Sequence, residues 1–187
     1  FQQGVTVTHR LSSAGIPLLF KGQSKAKSTQ FQNMPREYKR LFWSGSEDYL
    51  IGECDGAQLE FRVAADVCND AVARDEILNG SDIHSFTAQV LTDAGEPTTR
   101  QNAKASTFAP LYGGMGSTPA QRAYAEFFKA KYEGIANTQY GWCMEVAATQ
   151  QVKLPWGMIF YWPDAKINAK NGRLNVSTEV HNCPVQS

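Results

Sequence analysis

In RQNAKASTFAPLYGG (residues 100–114), Arg100, Lys104, Phe108 and Tyr112 recur every four residues, with Pro110 set inside the row. Steps of four advance about 40° each around a helix, so the row winds slowly along one face. Two cations come first, then two aromatic rings, then Gly113 and Gly114. Like charges at i and i+4 cost a helix a few tenths of a kcal/mol, and no acid is interleaved to offset them. Such a pair suits an anion, and phosphates are the natural match, with a flat ring stacking on the aromatic end. The row equally fits a solvated basic helix with a buried aromatic edge, and spacing alone favours that plainer reading. Pro110 removes one backbone bond, clashes with the carbonyl of Ser106 and pushes Ala109 out of helical geometry. The helix is therefore expected to kink or end between Ser106 and Pro110, not to run straight through Tyr112.

A second segment, YLIGECDGAQLEFRVAAD (residues 49–66), reads as a short strand around Leu50 and Ile51, broken by Asp55 and Gly56. Residues 57–66 read as a helix, with Asp55 as N-cap and Gln58 three residues later, as in a capping box. A carboxylate at a strand end is well placed to hold a metal, because the sheet fixes its position. Taken alone, Asp55 is equally an ordinary helix cap.

Together the two segments resemble the DNA polymerases of family A. DGAQLEFR (55–62) is similar to that family's first palm motif, close to D-Y-S-Q-I-E-L-R, and R-x-x-x-K-x-x-x-F-x-x-x-Y-G to its fingers helix. DIHSFTAQV (82–90) resembles D-I-H-x-x-T-A, THRLSS (8–13) resembles T-G-R-L-S-S, and FQNMP (31–35) resembles L-Q-N-I-P. LPWGMIFYWPD (154–164) and NCPVQS (182–187) resemble the segment after the fingers and N-x-P-x-Q. These segments occur in the family's order and cover nearly the whole chain. The resemblance implies an α+β fold: a partial polymerase palm, with antiparallel sheet and helices, plus a mostly helical fingers subdomain. It places palm at residues 1–72, fingers at 73–150, and a hairpin with a helix returning to the palm at 151–187.

The implied activity is transfer of a nucleotidyl group from a deoxynucleoside triphosphate to a primer 3′-hydroxyl on a DNA template. Two magnesium ions would serve it, with Asp55 binding both and the Gly56 backbone carbonyl one; Gly replaces the usual Tyr there. Glu60 matches the acid that excludes a ribose 2′-hydroxyl. Arg100 and Lys104 would hold the β- and γ-phosphates, Lys104 also protonating the leaving pyrophosphate. His84 would add a phosphate contact, Phe108 would pack beside the sugar, and Tyr112 would close over the template base. Arg10 would reach the minor groove at the primer end, where acceptors common to all pairs check shape without reading sequence. Gln32, Asn33, Asn182 and Gln186 would be further template–primer contacts. Departures include His9 for Gly in T-G-R-L-S-S, Thr178 where many relatives carry Arg, and Pro110 itself. The Pro-Leu-Tyr-Gly-Gly wording looks phage-like.

The net charge of zero conceals segregation. Residues 1–43 carry seven Lys or Arg against one acid, residues 44–99 two against twelve, and residues 100–187 nine against five. Basic flanks around an acidic middle suit nucleic acid held about a carboxylate centre, and equally suit two halves that attract each other. No apolar run approaches a membrane span and no signal peptide is visible, so the expected location is cytoplasmic, the host's if phage-encoded. Cys54, Cys68, Cys143 and Cys183 lack zinc-finger or CxxC spacing and read as reduced thiols.

Residues 16–29 read as a basic loop, 71–80 as a short helix stopped by glycine, and 83–91 as a second helix. Residues 93–99 are turn-rich, and 118–132 form an amphipathic helix with Pro119 at its first position, its apolar row continuing to Ile135. Residues 152–162 read as a β-hairpin. Phe1 is not an initiator methionine, and the family's second metal-binding acid sits in an H-D-E motif downstream of N-x-P-x-Q. The chain is therefore expected to be a piece of a larger reading frame, inactive alone. The alternative is a non-catalytic relative that binds nucleic acid or a replication partner; no processivity factor is identifiable from sequence. P-loop and Rossmann motifs are absent.

Overall fold

The structure, a computed structural model, describes residues 35–186 apart from residues 53 and 55, in two units divided in sequence after Ala57. Arg10, Gln32, Asn33, Asp55 and the basic loop at 16–29 lie outside the described residues. In the first unit, Arg36–Lys39 forms one helical turn, α1, entered from Pro35. Among the described residues the strand expected around Leu50 and Ile51 is absent: both are coil, and Leu50 is 97% exposed. The neighbouring Tyr49 carbonyl accepts from the Ser44 hydroxyl at 2.6 Å. A local bond thus occupies an acceptor that a ladder would use, and a strand needs a cross-strand partner.

The second unit, residues 58–187, is mostly helical. Helix α2, Leu59–Val67, begins later than expected, because Gln58 is left-handed (φ 53°) and its carbonyl accepts the first helical bond from Arg62. Gln58 occupies the cap position without a side-chain cap, which corrects the expected Asp55–Gln58 capping box. Helix α3, Ala71–Leu78, starts on Asp70, whose Oδ1 accepts from Ala73 N at 2.9 Å. It ends at Gly80 (φ 70°), with Gly80 N and Ser81 N returning to the Ile77 and Glu76 carbonyls, the Schellman pattern. Helix α4, Ile83–Asp93, is capped by Asp82, and α5, Arg100–Thr107, by Thr99. As the proline rule requires, α5 stops at Thr107, and Pro110–Tyr112 is a separate 3-10 turn closed by Gly113 at φ 77°.

Helix α6, Pro119–Lys131, starts from its Thr118 cap. Helix α7, Glu133–Thr149, takes in Ile135, which the apolar row of the sequence joins to the preceding helix. Its cap is not local: Asp70 Oδ2 accepts from Ile135 N at 3.1 Å. A Cβ at Gly134 would stand 2.9 Å from Asp70 Cα, so this approach requires glycine. Strands β1, Gln151–Lys153, and β2, Ile159–Tyr161, form the expected antiparallel hairpin, Val152 opposite Phe160. Among the described residues this hairpin is the whole of the paired sheet. Helix α8, Ser177–Gln186, closes the unit.

Two apolar clusters hold it together. One gathers Phe61, Leu91, Leu111, Tyr124, Phe128, Tyr132 and Ile135; the other gathers Val146, Val152, Leu154, Phe160, Leu174 and Val180. Trp142 on α7 packs against both. Tyr132 donates to Glu76 Oε2 at 2.7 Å, and burial beside that carboxylate pushes its hydroxyl far up.

Asp70 is 3% exposed and caps two helices at once. Asp70→Ala should destabilise the fold by about 1–3 kcal/mol, visible as a fall of several degrees in Tm. An unchanged melting curve would contradict this double cap.

Candidate functional site

Helices α4 and α5 pack against each other, and Asp82 joins them. Its Oδ1 caps α4 through His84 N at 3.1 Å, while its Oδ2 accepts from Arg100 Nε at 2.6 Å. The acid missing from the helical row is therefore supplied from the N-cap of α4, 18 residues earlier in the chain. The Arg100 guanidinium, then the Ser85 hydroxyl, hold the Asp82 carboxyl well below the usual carboxylate range. Lys104 is exposed one turn further on and makes no ion pair among the described residues.

Beneath this basic face His84 is buried, 7% exposed, with Nδ1 3.1 Å from Thr107 Oγ1. The Thr107 hydroxyl donates its proton to the Ala103 carbonyl at 2.8 Å, so Oγ1 can only accept from His84. In the neutral ring the proton is thus assigned to Nδ1, and Nε2 carries a lone pair. Burial pulls the His84 pKa down; Asp82 opposes this, while Arg100 and Lys104 add to it.

Phe108, directly after α5, sets its ring edge-on to His84 at 5.3 Å and 6.1 Å from Phe61. Glu60, half-buried in the first turn of α2, precedes Phe61 in sequence. The structure thus gathers His84, Arg100, Lys104 and Phe108 about one helix pair, with Glu60 on the helix that packs against Phe108. Tyr112 stands apart from α5, half-buried on its own turn. Asn182 and Gln186 lie one turn apart on α8, both half-buried, and Asn182 Oδ1 has no hydrogen-bond partner among the described residues. Gly56 is in exposed coil of the first unit. No cluster of three or more potential metal-ligating His, Cys, Asp or Glu side chains occurs among the described residues.

Sequence reasoning missed three side chains around the Tyr112 turn. Tyr124, Gln139 and Arg173 donate to the carbonyls of Thr107, Leu111 and Gly113. Beside that turn a cavity of about 370 Å³ is lined by α7, α8 and the 167–174 segment, among them Cys143, Arg173 and His181. Cys143 Sγ is 3.3 Å from His181 Nε2. Burial raises the thiol and lowers the imidazole to about 4, so both are neutral near pH 7 and form no thiolate–imidazolium nucleophile.

The chain belongs to DNA polymerase family A, whose family model matches residues 1–187. It is 32% identical over 151 residues to a DNA polymerase I of Bacillus caldotenax, covering 72% of this chain and 16% of that protein. Against a thermostable DNA polymerase I of Thermus thermophilus it is 28% identical across 100% of this chain, 23% of that protein. A DNA polymerase I of Aquifex aeolicus is 29% identical over 136 residues, or 71% of this chain and 20% of that protein. The chain spans less than a quarter of the length of these curated relatives. No helix among the described residues is long and apolar enough to cross a membrane.

Asn caps helices as well as Asp, so Asp82→Asn removes the charge facing Arg100 while keeping the cap. Because the folded-state pKa of Asp82 lies below its unfolded value, the ion pair contributes fully above that unfolded value. It is lost as the pH falls through the lowered one. The stability difference between wild type and Asp82→Asn should be modest, since both side chains are over a third exposed. It should stay constant down to about pH 5 and shrink below about pH 4. A difference that vanished at higher pH in chemical denaturation would contradict the pairing.

Proposed function

We propose that this chain is part of a polymerase that carries out template-directed DNA synthesis, transferring a nucleotidyl group from a deoxynucleoside triphosphate to a primer 3′-hydroxyl. The observation that carries the proposal is the exposed Arg100–Lys104 face of α5 above the buried His84 and the half-buried Phe108, in a chain of family A. Arg100, oriented by Asp82, and Lys104 hold the β- and γ-phosphates, and Lys104 gives a proton to the departing pyrophosphate. His84 Nε2 can donate to a phosphate only when the ring is protonated, and a bound triphosphate favours that form by offsetting the pull of burial. Phe108 packs beside the sugar, Glu60 excludes a 2′-hydroxyl, and Tyr112 faces the template base.

Asp55 and the Gly56 carbonyl are the proposed ligands of magnesium, an all-oxygen set that suits a hard cation able to stabilise phosphate charge. Arg10, Gln32, Asn33, Asn182 and Gln186 are the proposed template–primer contacts. Residues 1–72 then serve as palm, 73–150 as fingers and 151–187 as the return to the palm. The Pro-Leu-Tyr-Gly-Gly wording supports a phage-encoded source.

Titration of the chain with dATP and magnesium tests the reading. Lys104→Ala, at an exposed position, should fold normally and weaken binding by about tenfold or more, the worth of one charge-assisted hydrogen bond. Equal binding by wild type and variant would overturn the phosphate-site assignment and favour a partner-binding role.

A further inference from the structure

The break at Pro110 leaves the Tyr112 turn without the backbone ladder of a continuous helix. Its own backbone bonds are short-range: Tyr112 N and Gly114 N return to the Ala109 carbonyl, and Gly113 N to that of Pro110. The last carbonyl of α5 and two carbonyls of the turn are taken by side chains from α6, α7 and the segment before α8. Tyr124 on α6 donates to Thr107 O at 3.1 Å, Gln139 on α7 to Leu111 O at 2.5 Å, and Arg173 to Gly113 O at 3.3 Å. Gln139 is 7% exposed and Leu111 is fully buried, so their bond is shielded from water. Burial pushes the Tyr124 hydroxyl up to about 12, which keeps it a donor. Gly113 is seated as well: a Cβ there would meet His181 Nδ1 at 2.6 Å, at a φ of 77° that already favours glycine.

We propose that Gln139 is a positioning residue for Tyr112: with Arg173 it seats the 110–113 turn on α7 and the segment before α8, while Tyr124 ties the end of α5 to α6. This deepens the nucleotide-site reading and rests on it for what Tyr112 does, but the seating itself is a property of the free chain.

The test uses the full chain with its seven tyrosines replaced by 3-fluorotyrosine, the Tyr112 resonance being assigned by its loss in Tyr112→Phe. Gln139→Met keeps the shape of the side chain and removes the donor. It should move the Tyr112 resonance by more than its linewidth, while Tyr38 and Tyr49 in the first unit stay put. Arg173→Leu, at an exposed position where folding is safe, should move it too, and Arg173→Lys, which keeps a donor, should restore it. Lys104→Ala, exposed on α5 and outside these bonds, should leave it unmoved. A Tyr112 resonance unaffected by Gln139→Met and Arg173→Leu, or shifted by Lys104→Ala as much as by them, overturns the proposal. Adding dATP and magnesium to wild type separates the two readings. Absence of binding would sink the nucleotide site, yet the comparison of ligand-free resonances would still decide the seating.

Discussion

A single missing N–H organises the segment from Arg100 to Gly114. Pro110 cannot donate to the Ser106 carbonyl, so the helix that begins at Arg100 ends at Thr107, and the chain turns through Pro110–Tyr112 instead. The turn exposes backbone carbonyls that a continuous helix would have satisfied by itself. Buried carbonyls need donors, and Tyr124, Gln139 and Arg173 supply them from three separate elements. The break therefore ties the end of α5 and the turn after it to α6, α7 and the segment before α8, and a point of weakness in one helix becomes a junction between several.

The electrostatics of the face obey a similar economy. Two cations one turn apart repel, and Asp82 relieves part of that repulsion by pairing with Arg100 while capping α4. Lys104 is left without an ion-pair partner among the described residues, at the exposed end of the pair. Beneath them the Thr107 hydroxyl fixes the His84 tautomer, because its own proton is already given to Ala103. The face thus presents one cation oriented by an acid, a second exposed cation, and one neutral ring whose protonation an incoming polyanion would favour.

What could be read from the sequence was what local chemistry decides. Gly80 ends α3, Thr118 and Pro119 open α6, Pro110 stops α5, and residues 151–161 pair as a hairpin, each signal lying within a few residues of its effect. The failures share the opposite property. Helix α7 carries no clean apolar stripe and contains Gly134 and Gly141, and its cap, Asp70, lies 65 residues away. The strand expected at Leu50 and Ile51 depended on a partner that β-propensity cannot supply. Gln58 adopts a left-handed conformation that its residue type does not announce. The site was legible as a set of residue types in family order, but its supports were not. Asp82–Arg100, Gln139–Leu111 and Arg173–Gly113 span 18, 28 and 60 residues.

The most direct measurement is photo-crosslinking of the chain with 8-azido-dATP in the presence of magnesium, then peptide mapping with and without excess dATP. A nucleotide gripped by Arg100 and Lys104 beside Phe108 should label residues of α5 and the Pro110–Tyr112 turn, and dATP should abolish that label. Labelling confined to other elements such as the β1–β2 hairpin, or labelling that excess dATP does not compete away, would contradict the assignment of α5 as the nucleotide-binding helix.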